Sequence, residues 1–347
     1  MHKATFLEAT LKLTISPNGP FLVKAGDTGG ADPTLPDMEF VRTRRRGAAE
    51  VYLPGSSLKG VIRAQCERIC RSLDGPRRYD QEKQHLQKLD EDFVPPLADN
   101  PLGKENRPRG VEDVDYNSGH YIESVRESIK DLPDRTSIIY RRSALTSQIF
   151  GNTSLAGRVR FADAYPQGTV TIEERNGVAI DRIYGSVARG ALYNYETVVS
   201  GEFATRIDLK NFTLAQLGLL GLALRDLADG RVALGFGKSR GLGRVHVRFD
   251  EFELRYPTCM LQDGKLRLIN GKAEVSERTM AGVGALARQG YSSYAFDADD
   301  TADLLAELAY AEDDERGIGV RLAATGDPQV RAIFKTCMPA WRRRIGL

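Results

Sequence analysis

With 347 residues, 41% of them hydrophobic and 28% charged, the chain has the composition of a globular polypeptide that can bury a full core in one large domain or two. Its 49 basic and 47 acidic residues leave a net charge of only +2, which excludes a global basic field, so any nucleic-acid surface must be local. No apolar run nears the roughly 18 residues of a membrane span, no signal peptide opens the sequence, and the four cysteines are scattered, so a reduced, cytoplasmic protein without membrane contact is expected.

Residues 7 to 15 alternate, with Leu7, Ala9, Leu11, Leu13 and Ile15 on one face and Glu8, Thr10, Lys12 and Thr14 on the other, as in a half-buried strand. The loop that follows contains Gly26, Gly29, Gly30, Pro33 and Pro36 and carries Asp27, Asp32 and Asp37. Glu50 to Leu53 read as a short strand, and Pro54-Gly55-Ser56-Ser57 turns into a helix that ends near Leu73. Leu58, Val61, Ile62, Cys66, Ile69 and Leu73 fall on its apolar face. Cys66 and Cys70 have the spacing of half a zinc site, but no second pair follows at ligand distance, and two core thiols are the simpler reading. Lys59 and Arg63 are one turn apart on the opposite face. Cations at a helix start oppose the dipole by a few tenths of a kcal/mol each, and a bound anion would reverse that penalty; two solvated side chains are the alternative.

Residues 74 to 140 hold Pro76, Pro95, Pro96, Pro101, Pro108 and Pro133 with little periodicity, and read as an insertion with one helix near 120 to 131. Order resumes at Gln148 to Gly151 and Arg158 to Phe161. Thr169 to Ile172 and Ile180 to Tyr184 flank a segment whose Asn176-Gly177 step signals a hairpin turn. A second amphipathic helix starts at Thr213, a plausible N-cap, runs through Leu214, Leu217, Leu220, Leu224 and Leu227, and stops at Gly230. Residues 255 to 347 read as a tail with two or three short helices, among them 301 to 310 and 329 to 338. Basic runs at Arg42 to Arg46, Arg77-Arg78, Arg141-Arg142 and Arg342 to Arg344 each read, taken singly, as solvated surface.

The stretch from Leu234 to Val247 packs Gly235, Gly237, Gly241 and Gly243 beside Lys238, Ser239, Arg240 and Arg244. Such glycine density makes a main-chain cradle, whose successive N–H groups form an anion nest. A Walker loop would need glycine at Val232, and the dinucleotide fingerprint would need one at Arg240. Both also open a helix, whereas this loop opens a strand in which Val245, Val247 and Phe249 alternate with His246 and Arg248. A polynucleotide backbone therefore fits better than a nucleotide cofactor. Two helices interleaved with antiparallel-type strands give an α+β, ferredoxin-like (RRM-like) sheet as the expected fold.

Leu53-Pro-Gly-Ser-Ser-Leu-Lys-Gly-Val-Ile-Arg63 resembles a signature of the RAMP superfamily, the RNA-binding proteins of CRISPR systems. Phe150 to Gly157, Phe161 to Ala164, Gly177 to Arg182, Gly190 to Glu196, Gly201 to Phe203 and Gly235 to Val245 are similar to its later blocks. Within the superfamily the sequence most resembles the backbone subunit of type III effector complexes. The resemblance implies an RRM-like palm built from 1–73 and 141–254, a β-hairpin thumb at about 169–200, an insertion at 74–140 and a helical C-terminal extension at 255–347. It implies that crRNA is held by Gly55, Ser56, Ser57, Lys59, Arg63, Arg182, Tyr184, Gly237, Lys238, Ser239, Arg240 and Gly241. It also implies a loop aspartate that cuts bound target RNA with a divalent metal ion such as Mg²⁺: Asp37 matches best, with Asp32 the runner-up. Other effector subunits, and further copies along a filament, are the implied partners. A structural subunit that does not cut, and a stand-alone crRNA-processing endonuclease, are the alternatives; the chain lacks the His pair that metal-free RNase chemistry would use.

Overall fold

The computed structural model describes residues 4–26, 36–45, 47–74, 95–101, 117–124, 126–287, 291–312 and 319–346. In chain order, β1 (Glu8–Pro17) is followed by a small hairpin, β2 (Arg42–Arg45) and β3 (Ala48–Val51), and by helix α1 (Gly55–Leu73). Short helices α2 (Ser118–Ser124), α3 (Arg135–Arg141) and α4 (Leu145–Phe150) lead to β4 (Val159–Phe161) and β5 (Tyr165–Pro166). A long hairpin of β6 (Thr171–Ile180) and β7 (Val187–Ser200) comes next, then β8 (Phe203–Lys210), α5 (Leu214–Ala228) and β9 (Val245–Tyr256). The remainder comprises β10 (Cys259–Gln262), β11 (Lys265–Leu268), β12 (Glu274–Ser276), β13 (Thr279–Ala281), α6 (Val283–Leu286), β14 (Thr301–Asp303), β15 (Tyr310–Glu312), β16 (Val320–Thr325), α7 (Asp327–Thr336) and α8 (Met338–Arg344).

The alternation in β1 decides the layering. Ala9, Leu11, Leu13 and Ile15 are buried, while Lys12 points out and pairs with Glu251. β1 lies between β8 and β9, antiparallel to both, and β4 joins the far side of β8, giving the order β9-β1-β8-β4. With α1 after β1 and α5 after β8, this antiparallel α+β arrangement is consistent with a ferredoxin-like fold. Leu58, Ile62, Cys66 and Cys70 of α1 and most of α5 are buried in the same core. Burial pushes both thiols well above the ordinary cysteine range, as expected of inert core groups. α5 begins in a capping box, in which Thr213 accepts the Gln216 amide and the Gln216 side chain accepts the Thr213 amide.

The C-terminal segment is not a helical tail. β16 pairs with β9 and β15 pairs with β16, so the segment extends the main sheet, and α7 and α8 cover the outer side of α5. The predicted helix at 301 to 310 is instead β14, paired with β13, followed by a turn in which the Leu308 amide bonds to Leu305. Ala302 and Leu308 are both buried, one on the strand and the other at the turn, so the apolar residues of this segment reach the core without a helix. Within 74 to 140, the helix expected near 120 to 131 starts earlier and is shorter, at Ser118–Ser124. Tyr121, Ile122, Ile129, Ile139 and Tyr140 form a second small core with Leu155 and Tyr294.

Asp300 links the C-terminal segment to α5. It is 2% exposed, and its two oxygens accept the Leu214 and Gly284 amides at 2.8 and 2.9 Å. Burial outweighs these bonds and pushes its carboxyl up to about 7. The folded chain thus keeps this proton over a range in which the unfolded chain has already lost it. Asp300 therefore contributes stability at low pH that is lost as pH rises from about 4 to about 7, at up to about 1.4 kcal/mol per unit. Urea melts at pH 4.5, 5.5 and 6.5 should show this slope as a difference between the native chain and Asp300→Asn, which cannot titrate.

Candidate nucleic-acid interface

The long hairpin does not turn at Asn176-Gly177. β6 runs straight through that step, with Asn176 opposite Asn194 and Gly177 opposite Tyr193. Glycine at 177 makes room for the Tyr193 ring, which lies across it where a Cβ would collide unless the ring moved. The turn is at 181 to 186. The Asp181 carboxylate accepts the amides of Ile183 and Tyr184 at 2.7 and 3.0 Å, and its own amide donates to Ser186. This Asx arrangement, with Gly185 after it, was the local signal for the turn. Arg182 and Tyr184 thus sit at the tip; Tyr184 is 82% and Ile183 85% exposed. The tip stands beyond Tyr193 by roughly 20 Å, about six strand steps of about 3.3 Å.

The segment carrying Asp37 is bound to the root of this hairpin. The Asp37 amide donates to Asn194 Oδ1 and the Asn194 amide donates to Asp37 Oδ2, both at 2.9 Å. Met38 and Glu196 continue the pairing through backbone bonds. Arg42 then grips Glu196 in a two-pronged ion pair, both contacts at 2.8 Å. Burial opposes ionisation of Glu196, but Arg42 and the Phe40 amide outweigh it and hold the carboxyl below its ordinary range. Asp37 itself is exposed. Asp32 lies outside the described residues. Asn194, Glu196 and Arg42 lie in stretches that the sequence marks, but their pairing is not legible there, because it depends on a contact between segments far apart in the chain.

The glycine loop is only partly a cradle. Gly235 and Gly243 are there because the backbones of Leu22 and Leu234 approach too closely for any side chain. The amides of Phe236, Arg240, Leu242 and Gly243 already donate to backbone carbonyls, so the anion nest expected from the glycines is largely closed. What the loop presents is its rim: Lys238, Ser239, Arg240 and Gly241, exposed on a 3₁₀ turn that begins after Gly237. Arg240 lies over the rings of Tyr193 and Phe236 and bonds to the Tyr193 hydroxyl. Burial, and then Arg68, lower the pKa of Lys238. The loop therefore touches the hairpin through Arg240 and faces α1 through Lys238.

At the start of α1 the two expected cations separate. Arg63 faces inward, contrary to expectation: it bonds to Glu67 at 2.9 Å, to the Gly151 carbonyl at 2.9 Å and to Ser147 at 3.3 Å, and lies 3.7 Å from buried Asp99. Its five donors suit this fork of buried acceptors, so it is a structural residue rather than a surface grip. Lys59 is half-buried, and burial followed by Arg63 lowers its pKa. It has no carboxylate partner among the described residues. The Gly55 amide is taken by Asp163 at 2.7 Å and those of Ser57 and Leu58 by Pro54, while the Ser56 side chain is exposed.

Tyr193 and Asn194 thus join three elements, with Arg240 stacked on one, Asp37 bonded to the other, and the hairpin carrying both toward an exposed apolar tip. No group of three or more His, Cys, Asp or Glu side chains that could hold a metal occurs among the described residues. Asp37 could contribute one exposed carboxylate to a hard cation whose other ligands are phosphate oxygens and water. Among the described residues no helix is long and apolar enough to cross a membrane. An antiparallel α+β sheet, a projecting hairpin and a basic loop at its root define a nucleic-acid-binding class of protein. Residues 16–246, well over half of the chain, match the RAMP superfamily, and the chain belongs to that superfamily of CRISPR-associated RNA-binding proteins. No curated protein matches the sequence.

Proposed function

We propose that this chain is a crRNA-binding backbone subunit of a type III CRISPR effector and that it cuts the bound target RNA with help from Asp37. The observation that carries this reading is the junction at Tyr193-Asn194, which fixes an exposed carboxylate beside a cationic loop at the root of a projecting hairpin. The β9-β1-β8-β4 sheet with α1 and α5 is the palm and the β6–β7 hairpin the thumb. Lys59, Lys238 and the rim of the glycine loop contact backbone phosphates, which position RNA without reading its sequence. A divalent cation, when bound, would supply Lewis-acid stabilisation of the scissile phosphate. Asp37 would hold it, the Asn194 amide would fix the carboxylate's orientation, and the thumb would kink the strand beside it. In purified complex with guide and labelled target RNA, Mg²⁺ should give regularly spaced products and EDTA none. Products that persist in EDTA would exclude this chemistry.

A second reading is favoured by one observation: Asp37 already accepts the Asn194 amide, so its role can be to anchor the segment in a subunit that does not cut. The thumb is common to both readings. Ile183 and Tyr184 make an apolar wedge of the kind that unstacks a base step. Ile183→Ser with Tyr184→Ser should leave thermal stability within about 0.5 kcal/mol, because both side chains are solvated. Regular RNA positioning, followed by nuclease footprinting, should be lost; an unchanged footprint would remove the wedge role.

A further inference from the structure

Two basic runs remain unused by this interface, Arg141-Arg142 and Arg342 to Arg344, and the fold brings them together. A cleft of about 450 Å³ opens between α3, the segment 294–300 and α8, lined among others by Arg141, Arg343, Arg344 and Phe296. It reaches Thr213 and Ala215 at the start of α5, whereas the glycine loop follows the end of that helix. The cleft and the hairpin interface are thus separated by the length of α5, about 22 Å at about 1.5 Å per residue.

Its cations are not equivalent. Arg343 is committed to the carbonyl of Asp299 at 2.6 Å and lies 3.6 Å from Asp297. Arg142 is buried next to the Tyr121 hydroxyl. Arg141 and Arg344 are exposed and have no carboxylate partner among the described residues. The second acid on the lining, Asp300, has both oxygens occupied by backbone amides. The available charge is therefore positive and entirely guanidinium, a group that grips oxyanions with paired donors. Beside it is a flat apolar wall. The rings of Tyr294 and Phe296 stack at 5.5 Å and 8°, and Tyr140 packs against both. Tyr140 and Tyr294 are buried, so half-buried Phe296, with the Arg158 guanidinium 5.9 Å from its ring centre, is the ring of this stack that can meet a ligand. An aromatic face with adjacent arginines is the pairing that single-stranded nucleic acid uses, base on ring and phosphate on cation; an acidic peptide would leave the ring unused.

We propose that this cleft is a second nucleotide-binding site, with a base against Phe296 and its phosphate on Arg141 and Arg344. The inference rests on the RNA-binding class of the superfamily and not on the palm-and-thumb reading. The nucleotide unit could belong to an RNA strand or be free, and the test separates these sources. The full chain, Arg141→Ala/Arg344→Ala, Phe296→Ala and Lys59→Ala/Lys238→Ala are titrated with a single-stranded RNA across a salt series and with uridine and adenosine monophosphates. Thermal melts check folding, which the exposed arginines should not affect. For a strand-derived unit, the double arginine variant should bind RNA about tenfold more weakly at about 0.1 M salt, with a salt slope lower by about one. Phe296→Ala should weaken RNA binding about tenfold with the slope retained. For a free unit, monophosphate binding should be lost in both cleft variants while RNA binding is unchanged. The proposal is overturned if neither ligand responds to the cleft variants. That outcome would leave the hairpin interface standing if Lys59→Ala/Lys238→Ala still weakens RNA binding.

Discussion

Asp37→Ala should lower target-RNA cleavage by at least about a hundredfold, about 2.7 kcal/mol of transition-state stabilisation, with guide and target RNA still bound. The structure adds a control that the sequence could not supply. Because Asp37 Oδ2 accepts the Asn194 amide, alanine removes both the charge and an anchor of the segment. Asp37→Asn keeps a carbonyl oxygen for that bond and removes only the charge. If the carboxylate holds a metal ion, both variants should fail to cut. If Asp37 only anchors, asparagine should cut normally and alanine poorly. Activity retained in both would move the chemistry to Asp32 or to another subunit, which Asp32→Ala separates.

Arg63→Ala should have the largest effect on stability, about 3 to 5 kcal/mol of destabilisation. The substitution strips a cation from buried Asp99 and from Glu67, and leaves the Gly151 carbonyl and Ser147 short of a donor. Chemical denaturation reads this directly. Any RNA-binding loss should track the unfolded fraction, with the salt slope of the folded protein unchanged. Lys59→Ala should do the reverse, lowering the slope by about one with little change in stability. A lower slope with normal stability in Arg63→Ala would show that its guanidinium reaches RNA after all.

These contrasts show which features the sequence could carry. The alternation in β1 and the N-cap at Thr213 are local, set by period and by the residue at the helix start, and both were legible; the reciprocal bond from Gln216 is added by the structure. So was the presence of a basic glycine loop, but not its purpose. Glycine is chosen both for binding anions and for close backbone approach, and only the packing against Leu22 and Leu234 separates the two. The Asn176-Gly177 step misled for the same reason: its usual meaning is a turn, and here the glycine makes room for Tyr193 across the strands. Arg63 and Lys59 have the same local pattern, one turn apart on a helix, and part only because Asp99, Ser147 and Gly151 come from distant segments. The extension of the sheet by β15 and β16 was hidden because Val320–Thr325, although its residues are alternately buried and exposed, takes its place in the sheet from pairing with β9, which is distant in the sequence.

The alternative RNA surface would be the open face of the sheet, where RRM-type proteins stack bases on aromatic residues. Here that face carries charges already paired with one another, including Lys12 with Glu251, Arg206 with Asp208 and Arg248 with Asp250. Photo-crosslinking of guide RNA substituted with 4-thiouridine, mapped by mass spectrometry, distinguishes the two surfaces most directly. Adducts on the hairpin tip at Ile183 or Tyr184, on Tyr193 or Tyr195, and on the loop 238–241 are the predicted result. Adducts confined to the open sheet face, with none on the hairpin or the loop, would contradict it.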